Sequence, residues 1–138
     1  MNKEIELLKY QIKLMKMVIG GDSHPYFMYL LDHEVTEDQT NLLNSLMISM
    51  NSRRRRCLVD NRDINDTPVL ISDNMLNKLQ NHGITTQELN VDKMPNYHEF
   101  CGYIDKIMNS DINPKYLLTA MHRQSMFSEL CELLLKDS

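Results

Sequence analysis

The segment TEDQTNLLNSLMISMNSRRRR, residues 36–56, sets the fold class of this chain. It opens with Thr36 and, three residues later, Gln39, a spacing typical of a capping box at a helix N-terminus. Apolar residues then recur three and four positions apart, which places their side chains on one face of an α-helix: Leu42, Leu43, Leu46, Met47 and Met50. The segment therefore predicts a long amphipathic helix that ends in four consecutive arginines, Arg53–Arg56.

Helical periodicity continues along most of the chain on both sides of this segment. Residues 3–19 form a first predicted helix, which Gly20 and Gly21 end. Other helices are expected after capping residues: Asp22 or Ser23, Ser72, Asn96, Asn113 and Ser125. Residues 85–90 add one turn, and no second strand is available to pair with residues 69–71. The sequence therefore predicts an all-α fold, a multihelical bundle of six or seven helices in one domain over residues 1–138.

The middle of the chain differs in character from the rest. Polar turn-forming residues cluster over 61–68, and the apolar spacing is interrupted there. Only short helical pieces are expected before residue 96. We therefore predict that residues 57–95 are an insertion or a loop-rich, partly polar excursion from the main bundle.

Length and composition fit an ordinary globular domain. A chain of 138 residues with 42% hydrophobic and 25% charged residues is large enough to bury a substantial core. No apolar run approaches the ~20 residues of a membrane-spanning helix, and the first residues alternate charged and apolar, unlike a signal peptide. The three cysteines, Cys57, Cys101 and Cys131, are too widely spaced for a disulfide framework or zinc knuckle. These features predict a cytoplasmic protein without a membrane association.

The first predicted helix carries a heptad seam. Its apolar residues alternate between spacings of three and four, with isoleucine at each a position: Ile5, Leu8, Ile12, Met15 and Ile19. Lys9 and Lys16 fall at e positions, and Glu4 and Gln11 at g positions. Four further apolar residues widen the apolar surface beyond one seam: Leu7, Leu14, Met17 and Val18. The helix either packs into its own domain or meets a copy of itself, and we predict self-association through the seam.

The arginine run permits three interpretations. Cations at a helix C-terminus complement the helix dipole and can simply be solvated. The run can instead form a charged patch that binds a protein partner: Arg53, Arg54, Arg55 and Arg56. The partner can be another protomer, which would offer four acidic residues: Asp32, Glu34, Glu37 and Asp38. Phosphates of a nucleic acid are the third option. The net charge of −4 and the lack of interleaved aromatic residues disfavour that option.

Catalytic and metal-binding patterns are weak throughout the sequence. Gly20 and Gly21 precede a helix, but no Walker lysine follows them. His98 and Cys101 lie one helical turn apart, yet no second close pair of metal ligands accompanies them. The aromatic residues Tyr26 and Tyr29 fit a packed core better than a ligand pocket, which leaves a small-ligand or metal sensor as a minor alternative. We therefore predict no enzymatic activity, no cofactor and no metal.

Three stretches resemble the YhaI-like family, small all-helical proteins of Firmicutes with a domain of unknown function. The first is IELLKYQI, residues 5–12. The second runs from Pro25-Tyr26-Phe27 to Leu30-Leu31-Asp32 and the capped helix start at 36–39, and the third is QSMFSEL, residues 124–130. Residues 57–95 depart from the family pattern in being longer and more polar. The resemblance implies a multihelical fold in a bacterial cytoplasm, and it supplies no activity because none is known for the family.

Together these observations predict a protein-interaction or regulatory module. It self-associates through its N-terminal helix and has a further, unidentified protein partner. The alternative is a nucleic-acid-binding regulator that uses Arg53–Arg56.

Overall fold

The computed structural model describes residues 2–19, 23–58 and 71–138. Within these ranges the chain forms eight helices and no strand, which confirms the all-α prediction. The helices are α1 (Lys3–Ile19), α2 (Pro25–Asp32), α3 (Glu37–Leu58), α4 (Asp73–Asn81), α5 (Thr86–Asn90), α6 (Tyr97–Ile107), α7 (Pro114–Arg123) and α8 (Ser128–Lys136). The count exceeds the predicted six or seven because the single turn expected near residues 85–90 forms the short helix α5.

The long helix α3 lies at the centre of the bundle. Four of its apolar residues are completely shielded from solvent: Leu43, Leu46, Met47 and Met50. Helices α4, α5, α6 and α8 all pack against α3. Helices α7 and α8 are joined by a short turn and pack against each other, and α2 lies on α7. The periodic apolar residues that predicted α3 are therefore the residues around which the other helices assemble.

The segment 57–95 is less separate from the bundle than the sequence indicated. Leu79 of α4, Ile84 between α4 and α5, and Leu89 of α5 are buried in the same apolar core as α3 and α6. Residues 73–90 are therefore part of the main bundle rather than an excursion from it. Their helices are short and carry few apolar residues, so their periodicity is weak, but each apolar side chain still reaches the core. The predicted polar loop at 61–68 lies outside the described residues.

Local capping interactions follow the sequence pattern at several helix ends. Thr36 and Gln39 form the expected reciprocal pair: the Gln39 N–H donates to Thr36 Oγ1 at 3.1 Å, and the Thr36 N–H donates to Gln39 Oε1 at 2.9 Å. The side chains of Ser72, Asn96 and Asn113 also accept backbone N–H groups at the starts of α4, α6 and α7. Each of these caps joins residues at most three positions apart, so the sequence alone can identify them.

The caps predicted at Ser23 and Ser125 are wrong. The residue before α2 is His24, whose side chain makes no capping hydrogen bond, and Asp22 lies outside the described residues. Gln124 caps α2 instead, because its Oε1 accepts the N–H groups of Tyr26 at 3.0 Å and Phe27 at 3.2 Å. Ser125 does not cap α8: it adopts φ 61°, and α8 begins only after Phe127 at φ 49°. This tight turn places Gln124 against the start of α2.

Candidate functional site

Helix α1 presents its apolar side chains to solvent. None of its seventeen residues is buried. The predicted seam, here called the first seam, is 41–57% exposed: Ile5, Leu8, Ile12, Met15 and Ile19. Apolar residues at the same spacing in α3, α6, α7 and α8 are buried in the core. The first seam therefore has the pattern of a packing surface but is not part of the core that residues 23–58 and 71–138 form.

A second apolar stripe runs along the opposite face of α1. Its residues are spaced three, four and three positions apart and are 41–69% exposed: Leu7, Tyr10, Leu14 and Met17. Each lies two positions after a residue of the first seam, which corresponds to about 200° around the helix. We call this stripe the second seam. The sequence indicated only a widened apolar surface, whereas the structure shows two separate faces.

The C-terminal end of α1 lies beside α2. Lys16 Nζ donates to Asp32 Oδ1 at 3.0 Å. Next to this ion pair, an apolar cavity of about 270 Å³ is lined by Ile19, His24, Phe27, Met28 and Leu31. Phe27 and Leu31 are each about half exposed. These two side chains extend the apolar surface of α1 onto α2, and we call them the α2 patch.

The structure divides the arginine run between the interior and the surface. Arg53 is only 1% exposed, and its guanidinium binds both carboxylate oxygens of Glu99 in α6, with a distance of 3.1 Å from Nη2 to Oε1. Nε and Nη2 of Arg53 also donate to the carbonyl oxygen of Lys93, at 3.3 and 3.1 Å. Burial of the guanidinium is therefore compensated by hydrogen bonds to a carboxylate and a carbonyl.

Arg54 is also engaged within the chain. Its Nη2 lies 2.7 Å from Glu129 Oε2 at the start of α8, and its Nε donates to Asn51 Oδ1 at 3.1 Å. Arg55 is exposed and Arg56 is half-buried. The four arginines therefore do not form one outward-facing patch. Of the acidic residues considered as partners for the run, Asp32 binds Lys16 and Asp38 lies 3.8 Å from Lys78.

A cleft of about 620 Å³ opens beside Arg53. Among its lining residues are Arg53, Glu88, Lys93, His98, Glu99 and Tyr103. The Tyr103 hydroxyl donates to Glu99 Oε2 at 2.7 Å, and burial together with this hydrogen bond raises the pKa of Tyr103. Both oxygens of Glu99 are thus occupied by donors of the same chain. The polar groups at the base of the cleft satisfy one another, which is typical of a structural network.

The remaining candidate residues lie in different environments. Tyr26 belongs to the core at 1% exposure, and burial raises its pKa to about 12. The Tyr29 hydroxyl accepts the Asn113 N–H at 3.0 Å. His98 is exposed and Cys101 is half-buried. Across the described part of the chain, no three His, Cys, Asp or Glu side chains are grouped so that they could hold a metal ion.

No family model matches the chain, and no curated protein or solved structure does so either. The resemblance to the YhaI-like family therefore stays a prediction based on the residues quoted above. Over residues 2–19, 23–58 and 71–138, no helix combines the length and apolarity needed to cross a membrane. The features that define this protein are a small all-α bundle and an N-terminal helix with two exposed apolar faces.

Proposed function

We propose that this protein is an interaction module that self-associates through the first seam of α1. The observation that carries the proposal is the 41–57% exposure of all five first-seam residues, although their spacing is that of a helix packed against another helix. Removing apolar surface from water is favourable by about 25 cal/mol per Å². A helix that offers this surface along its whole length, about 25 Å, gains stability when a partner covers it.

A second copy of the chain supplies a matching surface. In a two-fold symmetric contact, each copy presents the same residues, so one complementary surface serves both partners. The first seam spans only about two heptads, which is short for a coiled coil on its own. The α2 patch, Phe27 and Leu31, adds apolar area at the C-terminal end of the helix. The combined surface of α1 and α2 supports self-association better than the helix alone.

The test compares two residues of α1 that are equally exposed. Ile12 in the first seam and Leu14 in the second seam are both 41% exposed. Sedimentation equilibrium at tens of micromolar should show an oligomer for the wild type, a monomer for Ile12→Glu and an unchanged oligomer for Leu14→Glu. Circular dichroism should show a folded core in all three. A monomeric wild type, or dissociation by Leu14→Glu alone, would contradict the proposal.

We also infer that the protein acts by binding rather than catalysis, in the bacterial cytoplasm. The polar network at Arg53, Glu99 and Tyr103 is occupied by its own members, which supports a structural role. Cys57, Cys101 and Cys131 are free thiols, as is usual in a reducing compartment.

The alternative, a nucleic-acid-binding regulator, receives less support because Arg53 and Arg54 bind carboxylates of their own chain. Duplex-DNA titration at low salt with the wild type and an Arg55→Gln, Arg56→Gln variant tests that alternative.

A further inference from the structure

We propose that the two copies pair through α1 as a parallel, in-register, two-stranded coiled coil. This inference rests on the proposed self-association through the first seam and adds the orientation and the number of helices. Three features of α1 and α2 support it: the residue types in the seam, the charges that flank the seam, and the position of the α2 patch.

The residue types of the first seam favour two parallel strands. Isoleucine occupies all three a positions, at 5, 12 and 19, and the d positions hold Leu8 and Met15. In parallel coiled coils, β-branched residues pack well at the a positions of two-stranded structures, and leucine packs well at the d positions. Isoleucine at both a and d instead favours three strands, and leucine at a with isoleucine at d favours four. The first seam has the two-stranded combination, with an unbranched methionine at its second d position.

The flanking charges match in a parallel pair. A residue at g on one parallel helix faces the residue at e five positions later on the other helix. Glu4 of one copy then faces Lys9 of the second copy, and two-fold symmetry gives this pair twice. Gln11 faces Lys16 in the same way, without repulsion. The parallel arrangement therefore contains two attractive pairs and no like-charge contact at these positions.

An antiparallel pair brings lysines together. Antiparallel helices place e positions against e positions, and both e positions of α1 are lysines, Lys9 and Lys16. Two registers keep the a positions of one helix opposite the d positions of the other helix. In the first register Lys9 faces Lys9 of the second copy, and in the second register Lys9 faces Lys16 of the second copy. Lys16 donates to Asp32 of its own chain at 3.0 Å, and this ion pair weakens the repulsion between Lys16 and another lysine. Lys9 faces no carboxylate in either register.

The α2 patch is consistent with the parallel arrangement. Because the patch lies beside the C-terminal end of α1, a parallel pair places Phe27 and Leu31 of both copies at the same end. An antiparallel pair places the two patches at opposite ends of a helix about 25 Å long. Only the parallel arrangement brings the two patches to the same end of the helix pair.

A disulfide crosslink in the full chain tests the orientation. In a parallel pair the two copies of position 5 face each other, within the ~7 Å between Cα atoms that a disulfide tolerates. In the antiparallel register that uses position 5, residue 5 faces residue 15, so the two copies of position 5 are about 15 Å apart along the axis. Ile5→Cys should therefore form a disulfide-linked dimer in glutathione buffer at least tenfold faster than the control Leu7→Cys, which lies on the second seam. The wild type, with its three native cysteines, gives the background rate.

A charge substitution provides an independent measurement of orientation. Lys9→Gln removes the attraction to Glu4 in a parallel pair and should weaken the dimer about two- to tenfold by sedimentation. In an antiparallel pair the same substitution removes a repulsion and tightens the dimer. A tighter Lys9→Gln dimer, or equal crosslinking of Ile5→Cys and Leu7→Cys in a dimeric protein, overturns the parallel orientation and leaves self-association intact.

The mass of the assembly separates the remaining outcomes. Sedimentation of the wild type should give two copies. A mass of three or more copies overturns the two-stranded proposal and points to use of the second seam, Leu7, Tyr10, Leu14 and Met17. A monomer overturns both this inference and the proposed function.

Discussion

Arg53 of α3 and Glu99 of α6 form a bidentate ion pair although they are 46 residues apart in the sequence. Arg53 is almost completely buried, and Glu99 also accepts the hydroxyl hydrogen of Tyr103. The pair fixes the C-terminal part of α3 against α6. A residue that the sequence shows only as one of four surface-like charges is therefore part of the interior of the protein.

Removal of the Arg53 guanidinium should destabilise the fold strongly. Arg53→Met leaves the Glu99 carboxylate without its main partner, and breaking a buried ion pair in this way costs about 3–5 kcal/mol. Urea unfolding measures the change. The matched control is Arg55→Met, two residues away on the same helix but exposed, which should change stability by less than about 0.5 kcal/mol. Equal effects of the two substitutions would show that the ion pair does not hold α3 to α6.

Two buried tyrosines should respond in opposite ways to the loss of their hydroxyl groups. The Tyr26 hydroxyl is buried without a hydrogen-bond partner among the described residues, so Tyr26→Phe should leave stability unchanged or raise it by up to about 2 kcal/mol. The Tyr103 hydroxyl donates to the Glu99 carboxylate at 2.7 Å, so Tyr103→Phe should lower stability by about 1.5–3 kcal/mol. Urea unfolding at pH 7 compares the two variants. A loss in Tyr26→Phe as large as that in Tyr103→Phe would contradict this assignment.

Alkaline pH should destabilise the protein. Burial raises the pKa of Tyr26 from 10.0 to about 12 and the pKa of the Cys131 thiol from 9.0 to about 12. Between pH 9 and 12 the unfolded chain therefore loses protons that the folded chain keeps, and the free energy of unfolding falls as pH rises. Each of the two groups, the Tyr26 hydroxyl and the Cys131 thiol, lowers the free energy of unfolding by at most about 1.4 kcal/mol per pH unit. Unfolding at pH 8 to 11 should show this decline, and Tyr26→Phe should flatten it above pH 10. A free energy of unfolding that stays constant to pH 11 would be inconsistent with both buried groups.

The cap that Gln124 provides to α2 should contribute measurably to stability. Gln124→Ala leaves the N–H groups of Tyr26 and Phe27 without their acceptor, and losing a helix N-cap costs about 0.5–2 kcal/mol. Thermal unfolding of Gln124→Ala should show this loss. Gln87→Ala, at an exposed position in α5, serves as the control and should unfold like the wild type. A stable Gln124→Ala variant would mean that water replaces the cap at no cost.

The helical content of α1 should depend on protein concentration. Isolated helices of this length are marginal in water, and α1 buries none of its residues within its own chain. Circular dichroism at 222 nm should therefore show more helix per residue over the concentration range in which the oligomer forms. Ile12→Glu should remove this dependence. A signal that is independent of concentration in an associating wild type would show that α1 is helical before it meets a partner.

Local sequence rules predicted much of the secondary structure because the interacting residues are close in sequence. Thr36 and Gln39 are three residues apart, and so are Asn96 and the N–H of Glu99 that it caps. The same rules failed at α2, since its cap comes from Gln124, 98 residues away from Tyr26. The sequence does not identify Gln124 as the cap of α2, because the two come together only when the fold places the α7–α8 turn beside α2.

The candidate site was predicted in part. The spacing of Ile5, Leu8, Ile12, Met15 and Ile19 identified the first seam, but packing within the chain and packing against a copy share the same spacing. In the structure the first seam is exposed and no residue of α1 is buried, so the seam is not part of the core, and its contact with a copy stays a prediction. The α2 patch escaped prediction because Phe27 and Leu31 lie in a helix that is apolar on nearly every side. Which of these side chains stays exposed depends on where α7 packs.

The separation of α1 from the hydrophobic core has an evolutionary consequence. Mutational free energies at sites without shared contacts are usually additive, so replacements on α1 away from Lys16 and Ile19, which lie beside α2, should change the folding free energy of the other helices little. Natural selection can then alter the exposed apolar faces of α1, and with them the strength of the proposed self-association, while the rest of the polypeptide keeps its thermodynamic stability.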